Sequence, residues 1–401
     1  MRRIIYAWNY LEWGGAQIHL LAILKEARKE FDVVVVLPEN SNAQFIKFLD
    51  EENVEYRFFK DHAKVAPAHG LVEKINKHRQ KIKSEMSLLK YLERFDLTNS
   101  IIHIDFAPQQ SLGLLIKLSL RTKVFITLHN ALPAVPKWRN IIWKMKFEII
   151  SHFRNFSVFC SNQNAKKYFK RYFTKKFGET IKVTYTSINP LEINAALEKK
   201  PDRVKLLESY NLPFDKFLIL CVGQFIDRKG RWTFLEAAKR VCQENDDVLF
   251  IWVSNSKPEI EDLQKAKDYD LGDNFRLITS DIIGRERLDL FRFIQLADVF
   301  ALPSFVEGLP ISLLEAMAMG IPSISTNVYA IPEAVKNLET GILIEAGDSK
   351  ALADAILKLK NDENLRKKIS KNGREWVLEN FDEREAARIA IAAYKESYDE
   401  N

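Results

Sequence analysis

Residues 303–322 read PSFVEGLPISLLEAMAMGIP, and the placement of glycine and proline in this stretch organises everything around it. The apolar run 299–303 ends a strand. Gly308 permits a tight turn. Pro310 suits the first turn of a helix, where its missing N–H costs nothing. Leu313, Leu314, Met317 and Ala318 then give that helix one apolar face. Gly320 fits the residue just past the helix end, and Pro322 prevents continuation. The reading is strand, loop, helix, with Glu307 on the loop and Glu315 on the second helical turn. The backbone N–H groups near Gly308, Leu309, Ile311 and Ser312 point out of the helix start, which is a natural seat for a diphosphate. The two carboxylates can accept hydrogen bonds from the hydroxyls of sugar and ribose rings. Taken alone, the stretch also reads as an ordinary capped βα unit.

Outward from this stretch the same alternation recurs. Strands are predicted at 217–222, 248–253, 275–279, 323–325 and 341–344 in the second half. In the first half they are predicted at 3–8, 32–37, 101–104, 123–128, 157–160 and 182–186, with helices such as 16–30 and 71–94 between them. Strands alternating with helices imply an α/β fold with parallel sheets covered on both faces. At 401 residues the chain suits two such domains. The polar stretch 197–205, containing Pro201, is the linker candidate, giving domains 1–200 and 201–382. Residues 383–401 form a final amphipathic helix with no strand after it, so it must pack on an existing surface. A ligand cleft is expected between the domains, at the carboxyl ends of their strands.

Composition excludes several classes. A hydrophobic content of 47% and a charged content of 28% are ordinary for globular chains. Cys160, Cys221 and Cys242 are too scattered for a disulfide framework or a zinc site and read as thiols in a reducing compartment. Arg2 and Arg3 precede an apolar run, but Asn9, Glu12 and Gly14–Gly15 break it, and no window approaches the ~18 apolar residues of a membrane span. The chain is therefore expected to be cytoplasmic. The net charge of +6 is unevenly spread: residues 1–200 carry +14 and residues 201–401 carry −8. A basic half suggests a polyanion or an anionic membrane, or simply a well-solvated surface. Within it, residues 137–154 mix Trp138, Trp143, Phe147 and Phe153 with Lys137, Arg139, Lys144, Lys146 and Arg154. Such a helix either packs on its own sheet or lies on an anionic membrane. No nucleic-acid motif is visible, and nucleic acid is not expected as a partner.

Three further groups carry chemistry. Residues 217–230, FLILCVGQFIDRKG, end a strand at Gly223 and place Arg228 and Lys229 in the following loop. These cations suit a leaving diphosphate, or are merely solvated. Residues 13–17, WGGAQ, close a strand and open a helix, where Gly14 and Gly15 let the backbone approach a ligand or simply make the turn. His129 ends the strand 123–128, while His103 lies inside 101–104 and Asp105 follows it at the strand end. Asp268 and Asp270 form the only Asp-x-Asp and are expected to face solvent, so no metal site is predicted.

The run EGLPISLLE at 307–315 resembles the E-x7-E signature of retaining glycosyltransferases of the GT-B architecture, especially family 4. EAMAMGIPSIST and GILIEAGDSKALADAI further on are also similar to that family. The likeness covers nearly the whole second half, with weaker echoes in the first. It implies two Rossmann-like domains facing across a cleft, the last helix crossing back to the N-terminal domain. It implies that Glu307 contacts the donor sugar, that Glu315 holds the ribose hydroxyls, and that Lys229 with Gly230 binds the diphosphate. Gln224 stands where the family carries an arginine. Gly14 and Gly15 match the glycine loop facing donor phosphates and acceptor, and His129 a histidine reaching the donor sugar. Two departures are TSIN at 186–189, in place of an Asn-Gly-x-Asp turn, and SNS at 254–256, in place of Gly-x-Gly.

The expected activity is transfer of a sugar from a nucleotide diphosphate sugar to a glycan or lipid-linked acceptor with retention of configuration, in surface polysaccharide or glycolipid synthesis. The expected catalytic residues are Glu307, His129 and Lys229. Donor contacts fall to Gly15, Gln224, Arg228, Lys229, Gly308, Leu309 and Glu315, and acceptor-side contacts to Gly14 and Asp105. No cofactor is expected, since helix dipole and cations stand in for a metal. UDP is favoured over GDP as the base carrier, and an anionic membrane is a candidate peripheral contact. The rival readings are a nucleotide-sugar epimerase and a non-catalytic nucleotide-sugar-binding subunit.

Overall fold

The computed structural model describes residues 2–8, 15–60, 70–105, 112–130, 136–199, 201–284 and 286–399, apart from the side chains of Trp8, Leu71 and Asp105. The chain divides into two units, Met1–Tyr185 with Arg384–Asn401, and Thr186–Glu383.

Unit 1 is built on seven parallel strands: β1 (Arg3–Trp8), β2 (Asp32–Pro38), β3 (Glu55–Phe59), β4 (Ser100–Asp105), β5 (Lys123–Leu128), β6 (Phe156–Cys160) and β7 (Lys182–Val183). Their order is β3-β2-β1-β4-β5-β6-β7. The central strands are largely apolar because helices cover both faces. Val33 to Leu37 of β2, for example, are all buried. The edge strand β3 escapes the sequence reading because Glu55, Tyr56 and Arg57 face largely outward, and only Phe59 is buried. Charge on an edge strand deters pairing with another chain. The predicted strand 182–186 shortens to two residues.

Unit 2 has six parallel strands: β8 (Phe217–Val222), β9 (Val248–Ser254), β10 (Phe275–Thr279), β11 (Val299–Leu302), β12 (Ser323–Thr326) and β13 (Ile342–Ile344). Their order is β10-β9-β8-β11-β12-β13. Both sheets thus reverse their strand order once, between β1 and β4 and between β8 and β11. Such reversals open a crevice beyond the carboxyl ends of the two strands.

The division falls earlier than the linker expected at 197–205. That stretch is helical on both sides, Pro190–Glu198 and Arg203–Ser209, and is anchored inside unit 2. Asn189 caps the first helix, accepting from the N–H groups of Leu191 and Glu192. Gln295 Nε2 donates to the Ala196 carbonyl, and Arg203 pairs with Asp298 at 3.0 Å. Local polarity misled here because a short capped helix and a linker share the same composition.

The last helix, Glu383–Asp399, belongs to unit 1. Ala390, Ile391, Ala393, Tyr394 and Tyr398 join the core formed by β1, β2 and the helix Gly15–Ala27. Tyr398 donates to the Arg3 carbonyl at 2.6 Å. Tyr394 lies between Tyr6 Oη (3.4 Å) and His103 Nδ1 (2.5 Å), and His103 Nε2 reaches Thr127 Oγ1 at 2.8 Å. A buried chain of neutral groups therefore bolts the C-terminus to β1, β4 and β5.

Candidate active site

The helix read from residues 303–322 spans Ile311–Ala318. Pro310 sits one position earlier than expected, as the N-cap residue, and supplies no side-chain cap. The first N–H groups of the helix are thus not covered by their own cap. Gly320 closes the far end at φ +77°, with Gly320 N–H on the Met317 carbonyl and Ile321 N–H on the Ala316 carbonyl, both at 2.9 Å. This paired closure uses the left-handed conformation that glycine adopts without strain.

Loop residues after β8 and β11, the two strands at the reversal of unit 2, carry the candidate side chains. After β8 the chain passes Gly223 and Gln224, makes one turn of 3-10 helix at Asp227–Lys229, and reaches Gly230. After β11 it passes Pro303 and Ser304 to Glu307. Gly230 has φ +78°, and a Cβ there would stand 1.9 Å from the Pro303 carbonyl oxygen. Only glycine lets the two loops lie this close. They are joined by Phe305 N–H donating to the Arg228 carbonyl (2.9 Å) and Arg228 Nη1 donating to the Val306 carbonyl (3.0 Å).

This contact delivers Lys229 to Glu307. The Lys229 Nζ lies 2.6 Å from Glu307 Oε1, Arg228 Nη1 lies 3.6 Å from Oε2, and Ser304 Oγ donates to Oε1 at 2.8 Å. Glu307 is 6% exposed, and the Lys229 side chain 13%. Burying a carboxylate this deeply requires a cation and hydrogen bonds to offset lost hydration. With two cations and one carboxylate, the cluster keeps a positive excess that favours a further anion. Gln224 brings no charge to it; its half-buried side chain follows Gly223 at the mouth of β8.

Glu315 is equally buried, and burial pushes its carboxyl above the usual range, while the Arg287 guanidinium draws it back and Glu192 raises it further. Arg287 Nη2 lies 2.7 Å from Glu315 Oε1, and its Nε lies 3.0 Å from Glu192 Oε2, in ion-pair range but not aligned as a hydrogen bond. Ser312 fastens the same helix to β8 by donating to the Val222 carbonyl at 3.0 Å.

Ser304, Arg287 and Glu192 escaped the sequence reading. Ser304 was detectable as a hydroxyl three residues before Glu307; Arg287 and Glu192 are brought to Glu315 only by tertiary packing. Of the two departures, Asn189 acts as a helix cap, and Ser254 closes a local turn with Ser256 through its hydroxyl. Asp268 and Asp270 are exposed beside the helix Ile260–Lys267.

Glu307, Lys229, Arg228, Gly308, Leu309, Glu315 and Gln224 all lie in unit 2, while the remaining candidates lie in unit 1. Gly15 is exposed at the start of the helix Gly15–Ala27; Gly14 is outside the described residues. Asp105 ends β4, with its side chain undescribed. His129 follows β5; its carbonyl accepts from Ser161 Oγ and Asn162 Nδ2, and its ring meets the His19 ring edge-on at 5.5 Å. His19 is fully buried, its pKa held well below the ordinary value by burial and then by His129 and His103. His103, read as structural, is the buried bridge to Tyr394.

Residues 202–376 match the family model of glycosyl transferases group 1. Those residues form a group 1 glycosyl transferase domain. The group 1 domain contains every residue of the Glu307 and Glu315 clusters except Glu192. The chain is 32% identical over 183 residues to the capsular polysaccharide biosynthesis glycosyltransferase CapM of Staphylococcus aureus, covering 45% of this chain and 46% of that protein. It is 31% identical over 188 residues to the UDP-Gal:alpha-D-GlcNAc-diphosphoundecaprenol alpha-1,3-galactosyltransferase of Escherichia coli, covering 46% of each. The matched stretch thus spans about half the length of these curated relatives. Over the whole chain, the crystal structure of Anabaena HepE in complex with UDP superposes with a TM-score of 0.76 at 17% identity, covering 98% of this chain and all of that one. A glycosyltransferase from Rickettsia africae superposes equally well at 18% identity, covering 99% and 98%. The fold is accordingly GT-B, two Rossmann-like units on parallel sheets.

Proposed function

We propose that this chain is a retaining glycosyltransferase that moves a sugar from a nucleotide diphosphate sugar to a glycan or lipid-linked acceptor, in polysaccharide or glycolipid synthesis. The observation that carries the reading is the buried Lys229–Glu307–Ser304 cluster, with Arg228 beside it, at the strand reversal of unit 2. In this reading Lys229, Arg228 and the uncapped helix start near Gly308 and Leu309 stabilise the departing diphosphate. Glu307 orients the donor sugar and Glu315 accepts from the ribose hydroxyls; in unit 1, His129, Gly14, Gly15 and Asp105 are the proposed substrate contacts. The bond from the anomeric carbon to the diphosphate oxygen breaks. The acceptor oxygen bonds to that carbon from the same face, and its proton passes to the leaving phosphate. The reaction needs no cofactor. UDP is preferred over GDP, a choice supported by the UDP-bound structure that this fold resembles.

Both carboxylates are engaged by cations, Glu307 by Lys229 and Glu315 by Arg287. Donor binding then exchanges partners between ions already in place, which limits reorganisation. Among the described residues, no helix is long and apolar enough to cross a membrane; the proposed workplace is the cytoplasm, at the membrane face.

The test is transfer and donor hydrolysis by Glu307→Ala and Lys229→Ala across UDP-, GDP- and ADP-sugars. Near-wild-type turnover in both variants refutes the assignment. Conversion of a free nucleotide sugar without acceptor points to an epimerase instead, and donor binding without turnover to a binding subunit.

A further inference from the structure

Helix Lys137–Ile150 is seated on unit 1 by one side only. Phe147 and Ile150 are buried, and Trp143 packs against the same core. Its other side is apolar and open: Trp138 is 57% exposed, Ile141 60%, Ile142 41%, Met145 58% and Ile149 48%. At 3.6 residues per turn these five fall within an arc of about 100°, directly opposite the buried residues. Lys137 and Lys144 border one edge of the arc, and Arg139 and Lys146 the other. The only acidic residue of the helix is Glu148. A contiguous apolar stripe of this size is not what an ordinary solvated helix presents, and its cationic borders are what an interfacial helix presents.

A second helix repeats the pattern nearby. Leu71–Leu92 exposes Val72 (71%), Ile75 (46%), Ile82 (46%) and Met86 (50%), interleaved with Lys74, Arg79 and Lys83. The helix Leu112–Ser119 touches both it and Lys137–Ile150, and Lys117 Nζ lies 3.8 Å from Met86 Sδ. Burial pushes the Lys81 ammonium below its ordinary pKa, Glu85 draws it back, and Lys146 is near enough to lower it further. The two open stripes thus belong to neighbouring elements on one side of one sheet.

We infer that this pair of helices is a docking surface for an anionic lipid bilayer, with Trp138, Ile141, Ile142, Met145 and Ile149 entering the headgroup boundary. Lys137, Arg139, Lys144 and Lys146 lay their stems along the apolar stripe and their charges against lipid phosphates. Charge complementarity selects this occupant. A second copy of the chain would bring four further cations against these four, whereas an anionic leaflet neutralises them. The +14 charge of residues 1–200 acts in the same direction. Resting on the glycosyl-transfer reading, the surface also selects the acceptor class, a lipid-linked one held at the membrane face.

The experiment is co-sedimentation of the full chain with phosphatidylcholine vesicles, with and without phosphatidylglycerol, at low and high salt. Binding is expected only with phosphatidylglycerol and weakened by salt. It should fall about tenfold or more in Ile141→Asp/Met145→Asp and, independently, in Lys144→Glu/Lys146→Glu. The emission of the wild type should shift to the blue on binding, a shift lost in Trp138→Phe. Donor hydrolysis in vesicle-free buffer should be unchanged in all these variants, so failure of the membrane surface and failure of the transferase reading separate. No binding to anionic vesicles at low salt, binding indifferent to both double variants, or a concentration-dependent dimer dissolved by Ile141→Asp/Met145→Asp would overturn the inference.

Discussion

Beyond the carboxyl ends of β8 and β11, unit 2 buries ions: Glu307 against Lys229 and Arg228, and Glu315 against Arg287. Around β4, unit 1 buries neutral rings instead, where Tyr6, Tyr394, His103 and Thr127 form one hydrogen-bonded line. Both devices satisfy polar atoms in a packed interior, but their energetics differ. A buried ion pair is poor value for stability, because desolvation roughly cancels attraction. A satisfied neutral line needs no such compensation, and each bond contributes about 0.5–1.5 kcal/mol. In the proposed reading, the charge at the strand reversal serves a ligand, whereas the neutral line serves the fold.

The sharpest way to break that contrast is at Lys229. Lys229→Ala should lower transfer by ~10²–10³-fold, the usual cost of removing one donor that meets developing charge. It should also destabilise the domain, because Glu307 is left buried beside a more distant Arg228. Lys229→Met with Glu307→Gln removes both ions. This double variant should recover the thermal stability while activity stays lost. Recovery of activity with stability would show the pair to be structural.

Arg287 probes the same idea with a smaller effect. Arg287→Met strips Glu315 of its cation and takes the same guanidinium from Glu192. A stability loss of ~1–3 kcal/mol is expected, less than for a fully sealed pair because Arg287 is partly exposed. Glu315 already sits above the ordinary carboxyl range, and without Arg287 it should rise further. The deficit should therefore shrink as pH falls and Glu315 takes up a proton. Urea titrations at pH 8 and pH 5 measure this, and donor titration should show weaker binding at both. An unchanged donor affinity would remove Glu315 from the ribose role.

In unit 1 the corresponding change is Tyr394→Phe. It deletes the hydroxyl between Tyr6 and His103 while keeping the ring among Phe31, Phe125 and Phe159. Stability should drop by about 1–2 kcal/mol, with two buried partners left unpaired, and vesicle-free donor hydrolysis should follow only the folded fraction.

How much of this was legible in sequence follows from what each feature depends on. The strand–loop–helix at 303–322 could be read because its signals are local: Gly308, Pro310, Gly320 and Pro322 act on the backbone next to them. Lys229–Gly230 was half legible. Its cation was visible, but not that Gly230 sits against the Pro303 carbonyl and so brings Lys229 to Glu307. Arg287 was invisible, because its partner lies on another helix and nothing in the residues around 287 declares a buried carboxylate. β3 was missed because an exposed edge strand lacks the apolar run that marks the others. The linker at 197–205 was misplaced because capped short helices and linkers are composed alike. Helix 137–150 was legible in composition, but which of its aromatic residues face outward required the fold: Trp143 turns in and Trp138 out.

The smallest effect, and the one that tests the neutral line as a line, is its response to acid. Burial drives His103 down to about 3, with His129 adding to the depression, against an ordinary value of 6.5. The folded state thus refuses a proton that the unfolded chain accepts. Stability from this group is complete above about pH 6.5 and is lost as pH falls from there toward about 3. The slope is at most ~1.4 kcal/mol per pH unit for one histidine. His19, also depressed by burial, should add a second contribution of the same sign. Between pH 7 and pH 5.5 the melting temperature of the wild type should therefore fall by a few degrees, and in His103→Gln by less, though from a lower start. The Lys229→Met/Glu307→Gln variant should keep the wild-type slope, since its ions lie in the other unit. A slope that follows Lys229 and Glu307 rather than His103 would reverse the assignment of which unit buries charge and which refuses it.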